Sequence, residues 1–156
     1  MSDLVKNEKI LIEEVKLIQD IIKRMASNSF NVKTWAITLI VATLLFKGND
    51  KHIFIAFIPL FAFWYLDAYY LRQERLFREI HKWITIYRID NEDKLFDFNP
   101  TKFTDKVQST KRIMWSISIL PFYGSIFLML VTYLTILYFD YFESLFQCLK
   151  SCIGGN

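Results

Sequence analysis

Apolar residues in this chain are concentrated in three segments separated by charged ones. Segments 30–46, 53–71 and 113–139 are mostly apolar, and the third contains no charged residue. A helix that crosses the hydrocarbon core of a membrane needs about 20 apolar residues, so the third segment predicts a transmembrane helix. The first two are shorter, but residues 47–51 between them are polar and include Gly-Asn, as expected for the turn of a helical hairpin. The pattern predicts an all-α membrane protein with three spans; the alternative for the hairpin is two buried helices of a soluble core.

The segment before the hairpin predicts an amphipathic helix. In residues 4–25 apolar side chains recur at heptad spacing, on a face broader than a strict coiled-coil seam. This face has two candidate partners, the protein's own region 72–112 or the same helix of a second copy in a homo-oligomer. The residues predicted to mediate oligomerisation are Leu4, Leu11, Val15, Ile18, Ile22 and Met25.

The basic residues predict the orientation of the chain. All but three of the 19 Lys and Arg residues lie in segments 1–33 and 72–112. Because basic residues accumulate on the cytoplasmic side of a membrane, the N-terminus and region 72–112 are predicted to be cytoplasmic. The predicted organisation is a cytoplasmic amphipathic helix (1–29), a transmembrane hairpin (30–71), a cytoplasmic helical region (72–112), a third transmembrane helix (113–139) and a short external tail (140–156).

The cytoplasmic region is predicted to be helical in two parts. Leu71 through Ile89 contains no Gly or Pro, so the second span is expected to continue into the cytoplasm with an apolar stripe that packs on the N-terminal helix. Further on, Asn99-Pro100 is typical of a helix start, here of a helix running into the third span. Nearby phenylalanines either anchor the intervening loop or line a small pocket. The predicted surface for a cytoplasmic partner consists of Arg72, Arg75, Arg78, Phe96 and Phe98.

Asp67 is the one acidic residue of the second span. Ionisable residues inside a membrane are costly and are therefore candidates for function. Its helical neighbours Trp64, Tyr70 and Leu71 include no cation, so an ion pair must come from another segment. Lys33 lies at a similar distance from the hairpin turn, and we predict an intramembrane Asp67–Lys33 contact that locks the two spans together. The alternative is an interfacial carboxylate that reaches water.

Composition and motifs exclude several classes of protein. Hydrophobic residues make up 53% of the chain, which excludes a disordered protein, and two cysteines are too few for a disulfide framework. A net charge of +3 is low for a nucleic-acid-binding domain, so no nucleic-acid partner is expected. The sequence contains no Gly-rich phosphate loop, no Gly-x-Ser-x-Gly and no metalloprotease motif, so neither enzymatic activity nor a cofactor is expected. Cys148 and Cys152 share one helical face, either as small apolar residues or as sites of cross-links between chains.

Two sequence strings carry a resemblance to a known class of protein. They are MASNSFNVKTW (25–35) and WYLDAYYLRQER (64–75), within an N-terminal helix, a short-turn hairpin and a charged helix. Together they resemble the SLATT-like small membrane effectors of bacterial anti-phage defence. The resemblance implies an oligomeric effector in the bacterial inner membrane that permeabilises or depolarises the membrane on a trigger, with membrane lipid around it and a cytoplasmic protein or nucleotide signal as partner. The alternative is a non-enzymatic membrane anchor or scaffold that recruits a cytoplasmic partner.

The spans contain few groups that could line a conducting pore. The polar candidates are Thr34, Thr38 and Thr43 in the first span and Ser116, Ser118, Ser125, Thr132 and Thr135 in the third. This scarcity favours a gated or membrane-disrupting mechanism over a constitutively open channel.

Overall fold

The computed structural model describes residues 2–45, 50–87 and 96–153. Every regular element in these ranges is helical, which confirms the all-α class. The four α-helices are α1 (Ser2–Leu45), α2 (Phe57–Tyr87), α3 (Thr110–Met114) and α4 (Leu120–Ile153), and two 3-10 helices cover Asp50–Ala56 and Pro100–Lys106.

Helix α1 is continuous from the N-terminal segment through the first apolar segment. Its 44 residues correspond to a length of about 66 Å at 1.5 Å per residue. Neither Gly nor Pro occurs between Ser2 and Leu45, so nothing interrupts the backbone hydrogen bonds where the amphipathic helix was predicted to end. The segments predicted as an amphipathic helix and as the first span therefore form one continuous helix, with no break at residue 29.

Helix α2 runs from the apolar segment into the charged region without a break, as the sequence predicts. It begins at Phe57 rather than Ile53, after the 3-10 helix Asp50–Ala56. Pro59 explains this start, because proline is tolerated in the first turn of an α-helix but its ring clashes with a preceding helical turn. The predicted turn falls partly on residues 46–49, which lie outside the described residues.

The helices share two apolar cores. The first is formed where α1, α2 and the start of α4 meet, and it includes Ile40, Leu60 and Tyr123. The second lies further along α1 and α2 and is centred on Ile18, Ile80 and Ile84, with Leu11, Val15, Ile22, Phe77, Trp83, Phe98 and Phe103 packed around them.

The second core shows what covers the amphipathic face of α1. Ile18 is fully buried against α2 of the same chain, and Leu11, Val15 and Ile22 pack beside it. This packing matches the alternative partner, region 72–112 of the same chain, while the role of these residues in oligomerisation stays a prediction. The face is broad because it packs on α2 and on the segment 98–103 together. Met25 is partly buried, and the side chain of Leu4 lies outside the described residues.

The segment after α2 differs from the predicted helix. Asn99 accepts a hydrogen bond from the Thr101 amide at 3.0 Å, so it caps a helix as predicted. That helix is a short 3-10 helix, and it ends at Lys106, after which Val107 is extended. It does not run into the third apolar segment.

The third apolar segment is broken near its start. Helix α3 ends at Met114, residues 115–119 form a turn, and α4 begins at Leu120. In a continuous helix, Pro121 could not donate to the Ile117 carbonyl and its ring would clash there. The third apolar segment is therefore not one continuous helix from residue 113, and its long helix begins at Leu120. At its other end α4 continues to Ile153, so the predicted tail is not a separate element; the side chains of Cys148 and Cys152 lie outside the described residues.

Two helical segments are long and apolar enough to cross a membrane, Ile53–Tyr87 and Leu120–Phe139. Only 33% and 11% of their most apolar windows are buried within the chain. A core helix of a soluble protein would be mostly buried, whereas these helices expose large side chains such as Ile58, Leu128 and Phe139. This exposure supports a helical membrane protein.

Candidate functional site

The structure brings Lys33 and Asp67 together at the contact between α1 and α2. The Lys33 Nζ lies 2.6 Å from the Asp67 Oδ2, and the Asp67 side chain is fully buried. Ser29 lies one turn before Lys33 on the same face of α1. Its hydroxyl donates to the Asp67 Oδ1 and accepts a hydrogen bond of 3.0 Å from the Lys33 Nζ. The Asp67 Oδ1 thus accepts a hydrogen bond from Ser29, and the Oδ2 forms an ion pair with Lys33, both from the other helix.

Aromatic side chains close this polar contact off from one side. Trp64, one turn before Asp67, stacks on Tyr123 of α4 with ring centroids 5.9 Å apart. The indole Nε1 of Trp64 donates to the Met114 carbonyl at 3.0 Å, which joins α2 to the end of α3. The hydroxyl of Tyr123 is buried and close enough to the Asp67 carboxylate to interact with its charge. It forms no hydrogen bond of standard geometry with any described residue. The ion pair is therefore enclosed by three segments of the chain.

Sequence reasoning identified two of the four residues in this arrangement. Ser29 and Tyr123 were missed. The signal for Ser29 was available, since a residue four positions before Lys33 faces the same way on a helix. No comparable signal existed for Tyr123, because its position depends on how the turn at 115–119 directs α4.

The ion pair lies near the boundary between the apolar and charged parts of α2. Arg72 follows Asp67 by five residues, or about 7.5 Å along the helix. Removing two charges from water is expensive, and a buried pair that loses one partner leaves an uncompensated charge. The closed Lys33–Asp67 contact therefore allows the Asp67 carboxylate to be buried between the helices, and opening the contact requires water or another polar partner.

A polar stripe lies on the face of α1 turned away from α2. It consists of Asn31, Thr34 and Thr38, whose spacing places them on one helical face, and all three are exposed. The two threonine hydroxyls donate to the carbonyls of Phe30 and Thr34, at 3.3 Å and 2.9 Å, which makes them tolerable in an apolar environment. In membrane helices, exposed polar side chains of this kind are typical of contacts between helices or of water-filled paths.

The five residues predicted as a surface for a cytoplasmic partner differ in exposure. Arg78 is exposed and pairs with Glu74 at 2.7 Å, whereas the Arg72 Nε is buried and has no hydrogen-bond partner among the described residues. Arg75 is partly exposed. Phe98 packs against the second core, as expected if it anchors the loop, while its role at a partner surface stays a prediction.

Phe96 is held in place through its backbone. Its side chain is half exposed, but its amide donates to the Glu14 Oε1 of α1 at 2.6 Å. Its φ of 54° is in the left-handed region, which is unfavourable for a residue other than glycine. The buried Glu14 carboxylate therefore fixes a strained backbone that joins this segment to α1. Sequence reasoning did not identify Glu14.

The described residues contain no group of three His, Cys, Asp or Glu side chains placed to hold a metal ion. No protein-family model matches the chain, and no match was found among curated proteins or among solved structures.

Proposed function

We propose that this chain is a multi-pass protein of the bacterial inner membrane, with its N-terminus in the cytoplasm, that assembles into a homo-oligomer and permeabilises or depolarises the membrane when triggered. The three spans of the proposal are the second half of α1, the segment beginning at Ile53 and the apolar part of α4. It is an effector without enzymatic activity, and its partners are lipid, further copies of itself and a cytoplasmic trigger.

The polar stripe on α1 is the observation that carries this proposal. Asn31, Thr34 and Thr38 face outward beside large apolar side chains such as Trp35. In a monomer this stripe would face lipid, where an amide and two hydroxyls gain nothing. In an oligomer it can line a contact between copies or a water-filled path. A simple membrane anchor has no need of such a stripe.

The Lys33–Asp67 contact gives this proposal a gate. While the contact is closed, both charges are compensated inside the protomer and the polar groups of α1 are too few for a continuous pore. If a trigger separates the α1 and α2 faces, Lys33, Ser29 and Asp67 become available to water. Because the Asp67 carboxylate is either buried and paired with Lys33 or separated from it and hydrated, the contact is a two-state element of the kind that a switch needs.

The test is depolarisation of cells that express the chain, measured with a membrane-potential dye. Thr34→Val/Thr38→Val keeps the shape of both side chains and removes their hydroxyls, and we expect it to abolish depolarisation. The matched control is Thr132→Val/Thr135→Val, the same change at two exposed threonines of α4, which should retain it. If both double variants lose activity equally, the stripe on α1 has no special role.

The alternative function is a non-enzymatic anchor or scaffold that recruits a cytoplasmic partner. The exposed Arg78 and the half-exposed Phe96 favour it, because both are accessible on the cytoplasmic part of the chain. A scaffold would leave the membrane potential unchanged at every expression level, so the same dye measurement separates the two functions.

A further inference from the structure

A groove of about 740 Å³ lies between the cytoplasmic parts of α1 and α2 and the end of the 3-10 helix Pro100–Lys106. Helix α1 contributes Lys23, α2 contributes Arg75, Arg78 and Lys82, and the 3-10 helix contributes Lys106. This volume is within the range of pockets that bind small molecules. Neither the proposed pore nor the ion pair at Asp67 includes any of these residues.

The charge of the groove is strongly one-sided. Five of its lining residues are Lys or Arg, and Glu79 is the one carboxylate among those that line it. Glu79 already pairs with Lys82 at 2.6 Å. No carboxylate among the described residues forms an ion pair with Arg75 or Lys106. These two cations therefore have charge available for an anion.

His81 provides a second, independent observation at the same place. It lines the groove, and its Nε2 is buried without a hydrogen-bond partner among the described residues. A buried ring nitrogen that lacks a partner is costly unless a ligand or water satisfies it. A rotation of the imidazole toward the groove would bring this atom to a ligand oxygen beside the nearby cations.

The chemistry of these groups points to phosphate. The planar guanidinium of Arg75 can bind two oxygens of a phosphate at once, and lysines add charge without demanding a geometry. Glutamine side chains at both ends of the groove, Gln19 and Gln108, can hydrogen-bond to the rest of a ligand. Several cations spread over a groove of this size match a ligand with more than one phosphate.

The position of the groove distinguishes a soluble ligand from a lipid headgroup. Along α2, Lys82 lies ten residues beyond Arg72, which corresponds to about 15 Å. The headgroup layer extends only about 5–8 Å beyond the hydrocarbon core on each side. If Arg72 marks the edge of the hydrocarbon core, the far end of the groove lies in the cytoplasm, outside the headgroups.

We infer that this groove is a binding site for a soluble, phosphate-bearing small molecule with two or more phosphate groups. It depends on the proposed function only for the orientation of the groove toward the cytoplasm. A ligand that contacts α1, α2 and the 3-10 helix at once would couple the positions of these three elements. The groove is therefore also suited to sense a trigger.

The test is calorimetric titration of inorganic triphosphate into the purified full chain in nonionic detergent. We expect binding that weakens as salt is raised and that Arg75→Gln/Lys106→Gln weakens by at least about tenfold. The matched control is Lys6→Gln/Lys9→Gln, which removes the same charge from an exposed part of α1 outside the groove and should change the affinity by less than about twofold. Circular dichroism and the elution volume of each variant confirm that the fold is retained.

Three results would overturn the inference. The first is the absence of triphosphate binding by the unmodified chain. The second is an equal loss in both double variants, which would indicate only a general charge effect. The third is anionic lipid that co-purifies with the unmodified chain but not with the Arg75/Lys106 variant, without triphosphate binding, which would assign the groove to a lipid headgroup. Binding without depolarisation in cells would support the site and refute the proposed function separately.

Discussion

Replacing Lys33 with methionine tests the ion pair most directly. Lys33→Met keeps the length of the side chain but leaves the fully buried Asp67 carboxylate with Ser29 as its remaining hydrogen-bond donor on α1. Removing one partner of a buried pair costs about 3–5 kcal/mol of stability. We expect the free energy of unfolding to fall by about this amount.

Replacing Asp67 instead of Lys33 should lower the free energy of unfolding by less. Asp67→Asn removes the buried charge, and the Lys33 side chain, 27% exposed, can still reach water. The expected loss is that of hydrogen bonds to a charged group, about 1.5–3 kcal/mol. In the Lys33→Met background, however, Asp67→Asn removes an uncompensated charge and should raise stability. The effect of Asp67→Asn on the free energy of unfolding therefore has opposite signs in the two backgrounds, as expected for two energetically coupled residues.

The measurement is reversible unfolding by SDS in mixed micelles, followed by circular dichroism, for the four members of the cycle. Lys16→Met is the control on the same helix. Lys16 pairs with Glu13 at 3.3 Å, but both side chains are 63% exposed, so the expected loss is below about 0.5 kcal/mol. The reasoning is refuted if Asp67→Asn destabilises both backgrounds equally, or if Lys33→Met costs no more than Lys16→Met.

Three further predictions follow from the second core and from the orientation. Ile18→Ala should lower the free energy of unfolding by about 2–5 kcal/mol without changing the oligomeric mass. Leu17 is 45% exposed, so Leu17→Ala should lower it by about 0.5 kcal/mol or less. A smaller assembly in light scattering for Ile18→Ala would instead support a role of Ile18 between chains. Glu14→Ala should accelerate hydrogen exchange at the Phe96 amide and cost about 1–3 kcal/mol, and unchanged exchange would show that the loop is held by other contacts. Lys102→Cys, in a background without the two native cysteines, should resist an impermeant maleimide in intact cells, because the three-span orientation places it in the cytoplasm; labelling there would overturn that orientation.

The sequence alone determined the class of the protein and its main polar contact. Apolar segments of sufficient length predicted membrane helices because the requirement of the hydrocarbon core is one of length and composition. The Lys33–Asp67 contact could be predicted because a hairpin fixes which residues of its two arms lie at the same height. The continuation of α2 through the charged region followed from the lack of Gly and Pro, which is also a local property. Helix α1 also lacks Gly and Pro, but the change from charged to apolar residues near residue 29 indicated two separate elements there.

Tertiary structure decided what each apolar face packs against. The heptad pattern of α1 is compatible with a second copy or with α2, and only the fold shows that Ile18 is buried against Ile80 and Ile84 of the same chain. Local sequence cannot make this choice, because burial of an apolar face is favourable against either partner. The enclosure of Asp67 by Tyr123 and the grouping of Arg75 with Lys106 depend in the same way on how turns at 96–109 and 115–119 direct the chain. Single residues such as Pro121 determine where these turns occur, and each turn changes the direction of the chain that follows. Contacts between distant segments therefore form only when the chain is folded.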